Sequence, residues 1–369
     1  MTEKTEMTEK TVMADMTEKT DKAEKTELAE KAEKQQALQK TALADALKAL
    51  MEEYIVYAPT GEAERQSFRR IDAGGVSDVN LDGLPLLPPK ELLFPRSETL
   101  YSVDLDSAEV SQPVQAGNAV LFGVRPCDAR SIVNLDCAFL EKGYTDSAYA
   151  DRREKLTVVA LACDVIPART CFCDSMGGGP ADAEGADILL SETKDVNAWL
   201  VSALTEKGRA IEELWLRSSL LLAAGKNTAA KSPACTLKVE TSADLAASLK
   251  AAFEDPAWAS FSEACIGCGT CSYICPTCYC FDIDMDVRGS EANEFRCWDC
   301  CMFSDYSRMA GGHNPRPTKK ERLRNRYLHK LSYFEERYGR MLCVGCGRCI
   351  AKCPAGLDIA SVIEWGGKP

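Results

Sequence analysis

The sequence predicts an α/β domain followed by a mainly helical, loop-rich domain organised by cysteines, with a disordered tail ahead of both. Three observations predict this. The apolar runs Ala119–Val124 and Leu156–Ala162 lie a helix-length apart, as parallel strands covered on both faces do. Two later runs, Cys265-Ile-Gly-Cys268-Gly-Thr-Cys271-Ser-Tyr-Ile-Cys275-Pro276 and Cys343-Val-Gly-Cys346-Gly-Arg-Cys349-Ile-Ala-Lys-Cys353-Pro354, share one spacing. The first 36 residues repeat Thr-Glu-Lys and hold almost nothing to bury.

Composition narrows the function. A chain of 369 residues is long enough for two cores. Its formal charge of −12 argues against nucleic-acid partners and for protein ones. No apolar run is long enough to span a bilayer, and the Met-Thr-Glu-Lys start carries no export signal. The expected setting is therefore a reducing, oxygen-poor cytoplasm. There, 19 cysteines read as metal ligands and not as disulfides.

Taken in order, residues 1–36 form the low-complexity tail, and residues 37–255 the α/β domain. Leu38, Ala42, Leu43, Ala46, Leu47, Leu50 and Tyr54 fall at helical spacing. Tyr54–Ala58 then reads as a strand ended by Pro59, and the proline-rich stretch 84–95 as a surface connection. After the two apolar strands come a short one at Asp187–Leu190, a helix over Ile211–Ala224 and another opening at Thr241-Ser-Ala-Asp244. Residues 256–369 form the cysteine-organised domain, with a cysteine-rich insertion over 276–342.

The paired runs read C-x2-C-x2-C-x3-C-P, the bacterial ferredoxin pattern for a [4Fe–4S] cube. Three thiolates on one loop reach one cube, and the fourth serves the other cube. By that crossing rule Cys265, Cys268, Cys271 and Cys353 hold one cluster, and Cys343, Cys346, Cys349 and Cys275 the second. Structural zinc favours separated C-x2-C pairs around one tetrahedral ion, a poorer match.

Other cysteines are also placed tellingly. The two apolar strands run into Arg125-Pro-Cys127-Asp128 and Cys163-Asp164, and the following loop adds Cys171-Phe-Cys173. Parallel strands deliver ligand residues at their carboxyl ends, so Cys127, Cys163, Cys171 and Cys173 are candidates for a further iron–sulfur cluster or a zinc ion. The bland alternative is that they are small buried apolar residues. Within the insertion, Cys278, Cys280 and Cys301 are candidates for one more cluster, or else thiols that pack the insertion. His313, in an Ala-Gly-Gly-His loop, reads as ordering that loop, with a metal-ligand role as the alternative. The basic stretch Arg316–Arg340 reads as a solvated helix face, as cations offsetting cluster charge, or as a docking face for an acidic partner. No Gly-x-Gly-x-x-Gly after a strand and no P-loop lysine motif supports nucleotide binding. No catalytic residue is assigned.

Cys265…Cys275-Pro-Thr-Cys278-Tyr-Cys280, Trp298-x-x-Cys301, Met309-Ala-Gly-Gly-His313 and Cys343…Cys353-Pro354 resemble a dicluster iron–sulfur family, which comprises the A subunits of anaerobic sulfite reductases and the β subunits of sulfhydrogenases. Tyr57-Ala-Pro59, Arg125-Pro-Cys127-Asp128 and Cys171-Phe-Cys173-Asp-Ser-Met-Gly177 extend the resemblance to nearly everything after Leu38. Cys235, Cys297 and Cys300 look like local additions. The resemblance implies an electron relay that is not catalytic alone. It would take electrons from a flavin/[2Fe–2S] subunit that oxidises NAD(P)H or ferredoxin. It would pass them to a catalytic subunit, either a siroheme sulfite reductase, placed slightly ahead, or a nickel–iron hydrogenase. A catalytic site in the α/β crevice and a redox-sensing regulator are the competing readings.

Overall fold

The computed structural model describes residues 35–62, 65–112, 117–194, 197–225 and 228–368. The Thr-Glu-Lys tail expected to be disordered lies outside the described residues. Strands in chain order are β1 (Gln36–Gln39), β2 (Ile55–Thr60), β3 (Ser67–Arg70), β4 (Ser97–Asp104), β5 (Val110–Ser111), β6 (Ala119–Val124), β7 (Leu156–Leu161), β8 (Ile188–Glu192), β9 (Ala198–Ala203), β10 (Leu221–Ala223), β11 (Phe281–Arg288) and β12 (Glu291–Trp298).

Eight of these form one mixed sheet in the order β10-β1-β9-β8-β7-β6-β2-β3. Its centre is parallel, β2 on β6, β6 on β7 and β7 on β8, and antiparallel strands finish both edges. The apolar runs are covered on both sides as expected. Val120 and Phe122 of β6 face a core shared with the helices Leu43–Met51 and Glu206–Arg217. Leu121 and Val124 face a second core, built with the helix Pro126–Phe139 and Tyr149.

Several elements differ from expectation for local reasons. The periodic pattern from Leu38 begins in strand β1, and the helix itself starts at Leu43. Strand β2 runs through Pro59, because its parallel neighbour pairs only Ile55–Tyr57 and leaves Pro59 no donor to supply. The helix expected to reach Ala224 ends at Arg217, and Leu221–Ala223 pairs with β1 as an edge strand. The proline-rich stretch is not a surface connection throughout, for Lys90 is 2% exposed and Phe94 1%.

The cysteine-organised half contains the helices Leu245–Ala251, Ala257–Ser262, Lys319–Leu328, Phe334–Tyr338 and Ile359–Gly366 around a core that includes Trp258. It also contains what a mainly helical reading omits. The β11–β12 hairpin lies within the insertion and pairs along eight residues of each strand. Strand β12 then pairs with β4, forming a four-stranded antiparallel sheet, β11-β12-β4-β5, drawn from both sides of residue 256. Arg296 secures its base: buried to 2% exposure, it donates from Nε to Glu98 at 2.6 Å and pairs with Asp146.

Candidate metal centres

The two ferredoxin-type runs fold alike. Each has two left-handed glycines, Gly267 and Gly269 (φ 70° and 75°) or Gly345 and Gly347 (φ 66° and 73°), followed by a one-turn helix, Thr270–Tyr273 or Arg348–Ala351. Positive φ at these positions is what glycine permits. The turns aim backbone donors at sulfur: the Gly267 amide donates to Cys265 Sγ at 3.4 Å, and the Leu357 amide to Cys353 Sγ at 3.2 Å.

Cys265, Cys268, Cys271 and Cys353 line one cavity of about 500 Å³, its open mouth included. Cys353, from the other run, is the fourth thiol of this lining. Cys349 also reaches the lining, whose remaining wall is mostly apolar, with Met302, Leu323 and Ile359. Arg326 enters that wall, donates from Nη2 to the Cys271 carbonyl at 3.0 Å, and leaves its buried Nε without a partner. Four thiols, apolar walls and an unsatisfied buried cation fit an anionic thiolate-bound cube.

Cys275, Cys343, Cys346 and Cys349 are likewise brought together. Burial first, then the neighbouring charges of Cys346, Cys343 and Cys275, pushes the Cys349 thiol upward. Lys330 sits among them at 2% exposure, donating to Cys275 Sγ at 3.2 Å and to Thr277 Oγ1 at 3.0 Å. Burial works against its charge, but the sulfurs of Cys275 and Cys278 outweigh that and raise its pKa. A π-helical turn, His329–Tyr333, interrupts the helix at this point. Lys90 arrives from the α/β side and donates to the carbonyls of Cys278 at 2.8 Å and Ser272 at 3.3 Å. Part of the basic stretch is therefore internal: Arg322, Arg324, Arg326 and Lys330 are all buried, with Arg326 and Lys330 beside cysteines and Arg322 and Arg324 bonded to the carbonyls of Arg316, Pro317 and Phe253.

The α/β thiols converge as well. Cys127, Cys163, Cys171 and Cys173 line a cavity of about 290 Å³, joined by Cys346 and by Cys235. Cys235 Sγ lies 3.5 Å from Cys173 Sγ, and its amide donates to Asp174 Oδ2 at 3.0 Å. No spacing in the sequence ties Cys235 to the others, and only the folded chain brings it in. Burial pushes Cys163 up to about 11 and Cys171 up to about 12, so a bound metal must displace their protons. This group abuts the second ferredoxin loop. The Phe172 amide donates to the Gly345 carbonyl at 2.8 Å, and a Cβ on Gly347 would stand 2.1 Å from the Thr170 carbonyl oxygen. Arg348 forms a bidentate pair with Asp128 at 2.6 and 2.7 Å, the two side chains 3% and 0% exposed.

In the insertion, Cys280 and Cys301 are hydrogen-bonded, and that bond is the main reason the Cys280 thiol is lowered to about 6. Cys278 is hydrogen-bonded to Cys275. Cys300 is set apart, its Sγ directed at the Gly269 carbonyl at 3.9 Å, and Cys297 lies on β12 opposite Asp282. Among the described residues, no three His, Cys, Asp or Glu side chains are grouped to hold a single metal ion. The first and third sets ring cavities instead. No helix among the described residues is long and apolar enough to cross a membrane.

Comparison with known proteins agrees with this geometry. A family model described as a 4Fe-4S dicluster domain matches residues 264–357. The chain is 33% identical over 318 residues to sulfhydrogenase 2 subunit beta of Pyrococcus furiosus, an alignment covering 84% of this chain and 91% of that protein. The chain belongs to the dicluster [4Fe–4S] family of sulfhydrogenase beta subunits and anaerobic sulfite reductase A subunits.

Proposed function

We propose that this chain is the electron relay of a multi-subunit oxidoreductase, carrying electrons from a flavin/[2Fe–2S] subunit to a separate catalytic subunit. The observation that carries the reading is the crossed pair of ferredoxin loops, with Cys353 of the second run completing the cavity ringed by Cys265, Cys268 and Cys271. In this reading those four thiols hold one cube, and Cys275, Cys343, Cys346 and Cys349 hold the other. Cys127, Cys163, Cys171 and Cys173 hold a third cluster beyond the carboxyl ends of β6 and β7. Bound cubes supply one-electron transfer.

The polypeptide's own work is positional. Left-handed glycines turn amides toward sulfur, Lys330 and Arg326 place positive charge beside the thiols, and apolar walls exclude water. Cys278 lies beside Cys275 and Cys280 beside Cys301, and these three are the ligands of choice for any additional cluster. Similarity to a sulfhydrogenase subunit favours a nickel–iron hydrogenase as the catalytic partner over a siroheme sulfite reductase.

The test is anaerobic purification of the tagged chain from its native cells, with mass-spectrometric identification of what accompanies it. A flavoprotein together with nickel–iron subunits is the expected result. A flavoprotein with a siroheme protein would move the output to sulfite. A chain that purifies alone and turns over substrate unaided would overturn the relay and make the α/β crevice the active site.

A further inference from the structure

The four-stranded sheet presents an apolar face to solvent. Residues directly opposed across strands share a face, and the register Val287–Ala292–Val103–Val110 lines one up across all four strands. Met285 and Ile283 continue the same face along β11. Val287, Met285, Ile283 and Val110 are 55%, 52%, 50% and 62% exposed. On β12 and β4 this face also carries Glu294, opposite Met285 and bonded by Tyr101, and the buried Arg296 opposite Ile283, while the other face carries Asp282, Asp284, Asn293 and Ser102 together with Phe295. An amphipathic sheet normally buries the face that is open here. Among the described residues, strand β11 is also a sheet edge, so one row of its backbone groups has no described strand beside it. Isolated exposed apolar residues need no explanation, but a contiguous row on an open sheet edge marks an interaction surface.

Charge decides what covers it. The two segments that build this sheet, 97–112 and 281–298, hold nine carboxylates and only two cationic side chains, Arg288 and Arg296. Arg288 is already paired with Asp286 at 2.8 Å, and Arg296 is buried against Glu98. Five of the nine, Asp104, Asp282, Asp284, Asp286 and Glu291, alternate onto the other face, but a second copy of this chain would still bring two net-acidic sheets together, which opposes association. The Thr-Glu-Lys repeats of the N-terminal segment contain no alternating apolar run that would fill the row. We infer that this face docks a different protein subunit, one that offers an apolar patch rimmed by Lys and Arg and adds a strand along β11. The inference rests on the relay reading, because a relay must be held by a partner. It also assigns the contact to a hairpin that begins at Phe281, just after the first ferredoxin run.

The experiment uses the native complex purified anaerobically through a tag on the full chain. Three variants are compared with wild type: Met285→Lys and Val110→Lys on the apolar face, and Val165→Lys, 69% exposed elsewhere on the surface, as control. Partner retention is read by native mass spectrometry over a dilution series, and cluster absorbance and melting temperature report whether each variant folds. Hydrogen exchange of wild-type residues 281–294 is measured in the complex and in the dissociated chain, which needs no substitution. The expected result is that both face variants bind one partner at least about tenfold more weakly while the control is unchanged, with β11 amides exchanging at least about tenfold more slowly in the complex. That affinity should also fall as salt rises. Unchanged affinity in both face variants, or equal β11 exchange in the two states, overturns the inference while leaving the relay intact. A concentration-dependent dimer of the isolated chain that Met285→Lys abolishes overturns it in favour of a second copy. A wild-type chain that co-purifies with nothing overturns the relay reading, and the docking partner with it.

Discussion

Replacing Lys330 by Met should lower the reduction potential of one cluster and leave the other nearly where it was. The ammonium stands 3.2 Å from Cys275 Sγ and is 2% exposed, so solvent does little to screen it. At an effective dielectric constant of about 20, unit charges at that separation interact by about 5 kcal/mol. An electron added to a cube is shared over its irons and sulfurs, so the part felt at one ligand is a fraction of this, about 1–2 kcal/mol. With about 59 mV for each 1.4 kcal/mol in a one-electron couple, the midpoint falls by about 40–85 mV. The sign follows from electrostatics: removing a fixed cation makes the reduced, more negative cluster harder to form. The assay is an anaerobic, EPR-monitored redox titration of wild-type and K330M complexes with matched iron content. Lys330→Arg, which keeps the charge, should recover most of the shift. Two fully loaded clusters with unchanged potentials in K330M would refute the argument, and so would a rise.

Three further outcomes follow from the same geometry. Cys349→Ser should cost one cube's iron and block electron transfer through the reconstituted complex, while circular dichroism still reports the eight-stranded sheet; unchanged dye reduction would count against the relay. Asp128→Asn leaves the Arg348 guanidinium buried without its carboxylate and should destabilise the protein by about 3–5 kcal/mol in thermal or denaturant melts. The double variant with Arg348→Met should regain most of that loss, and a double variant as unstable as the single would show that the pair is not the cause. Gly347→Ala must hold a φ of 73° with its Cβ 2.1 Å from the Thr170 carbonyl oxygen. It should cost at least about 2 kcal/mol and lower iron content, whereas Gly339→Ala, whose Cβ meets nothing within 4 Å, carries only the backbone strain.

The ferredoxin loops were legible because their chemistry is local: four thiols, two glycines and a proline within twelve residues. The two parallel strands were legible because burial on both faces leaves a continuous apolar run. The convergence of Cys127, Cys163, Cys171 and Cys173 could be read from strand ends alone, since β6 and β7 are neighbours and point the same way. What escaped depends on distant partners. Cys235 has no spacing relation to Cys173, and the turn that carries it is seated by Asp174. Lys330 and Arg326 look like any solvated basic helix in sequence, and only tertiary packing turns them inward. The alternation Asp282-Ile-Asp-Met-Asp-Val is a plain strand signal, but a segment read for its cysteines hides it, and its sheet is completed by β4 far upstream.

That last pairing constrains how the polypeptide is made. Ser97 and Cys297 stand in register although some two hundred residues separate them. At about 5–20 residues per second, the ribosome needs about 10–40 s after β4 emerges to deliver the strand that completes it. Throughout that interval β4 has only β5 for a neighbour, and Glu98 can pair with Arg152 but lacks the Arg296 guanidinium. The amino-terminal half therefore leaves the ribosome with an open edge, and the insertion between the ferredoxin runs is what closes it. Folding of the early half thus waits on the late one, and a chain truncated before Glu291 should depend on chaperones and aggregate even though its eight-stranded sheet is complete.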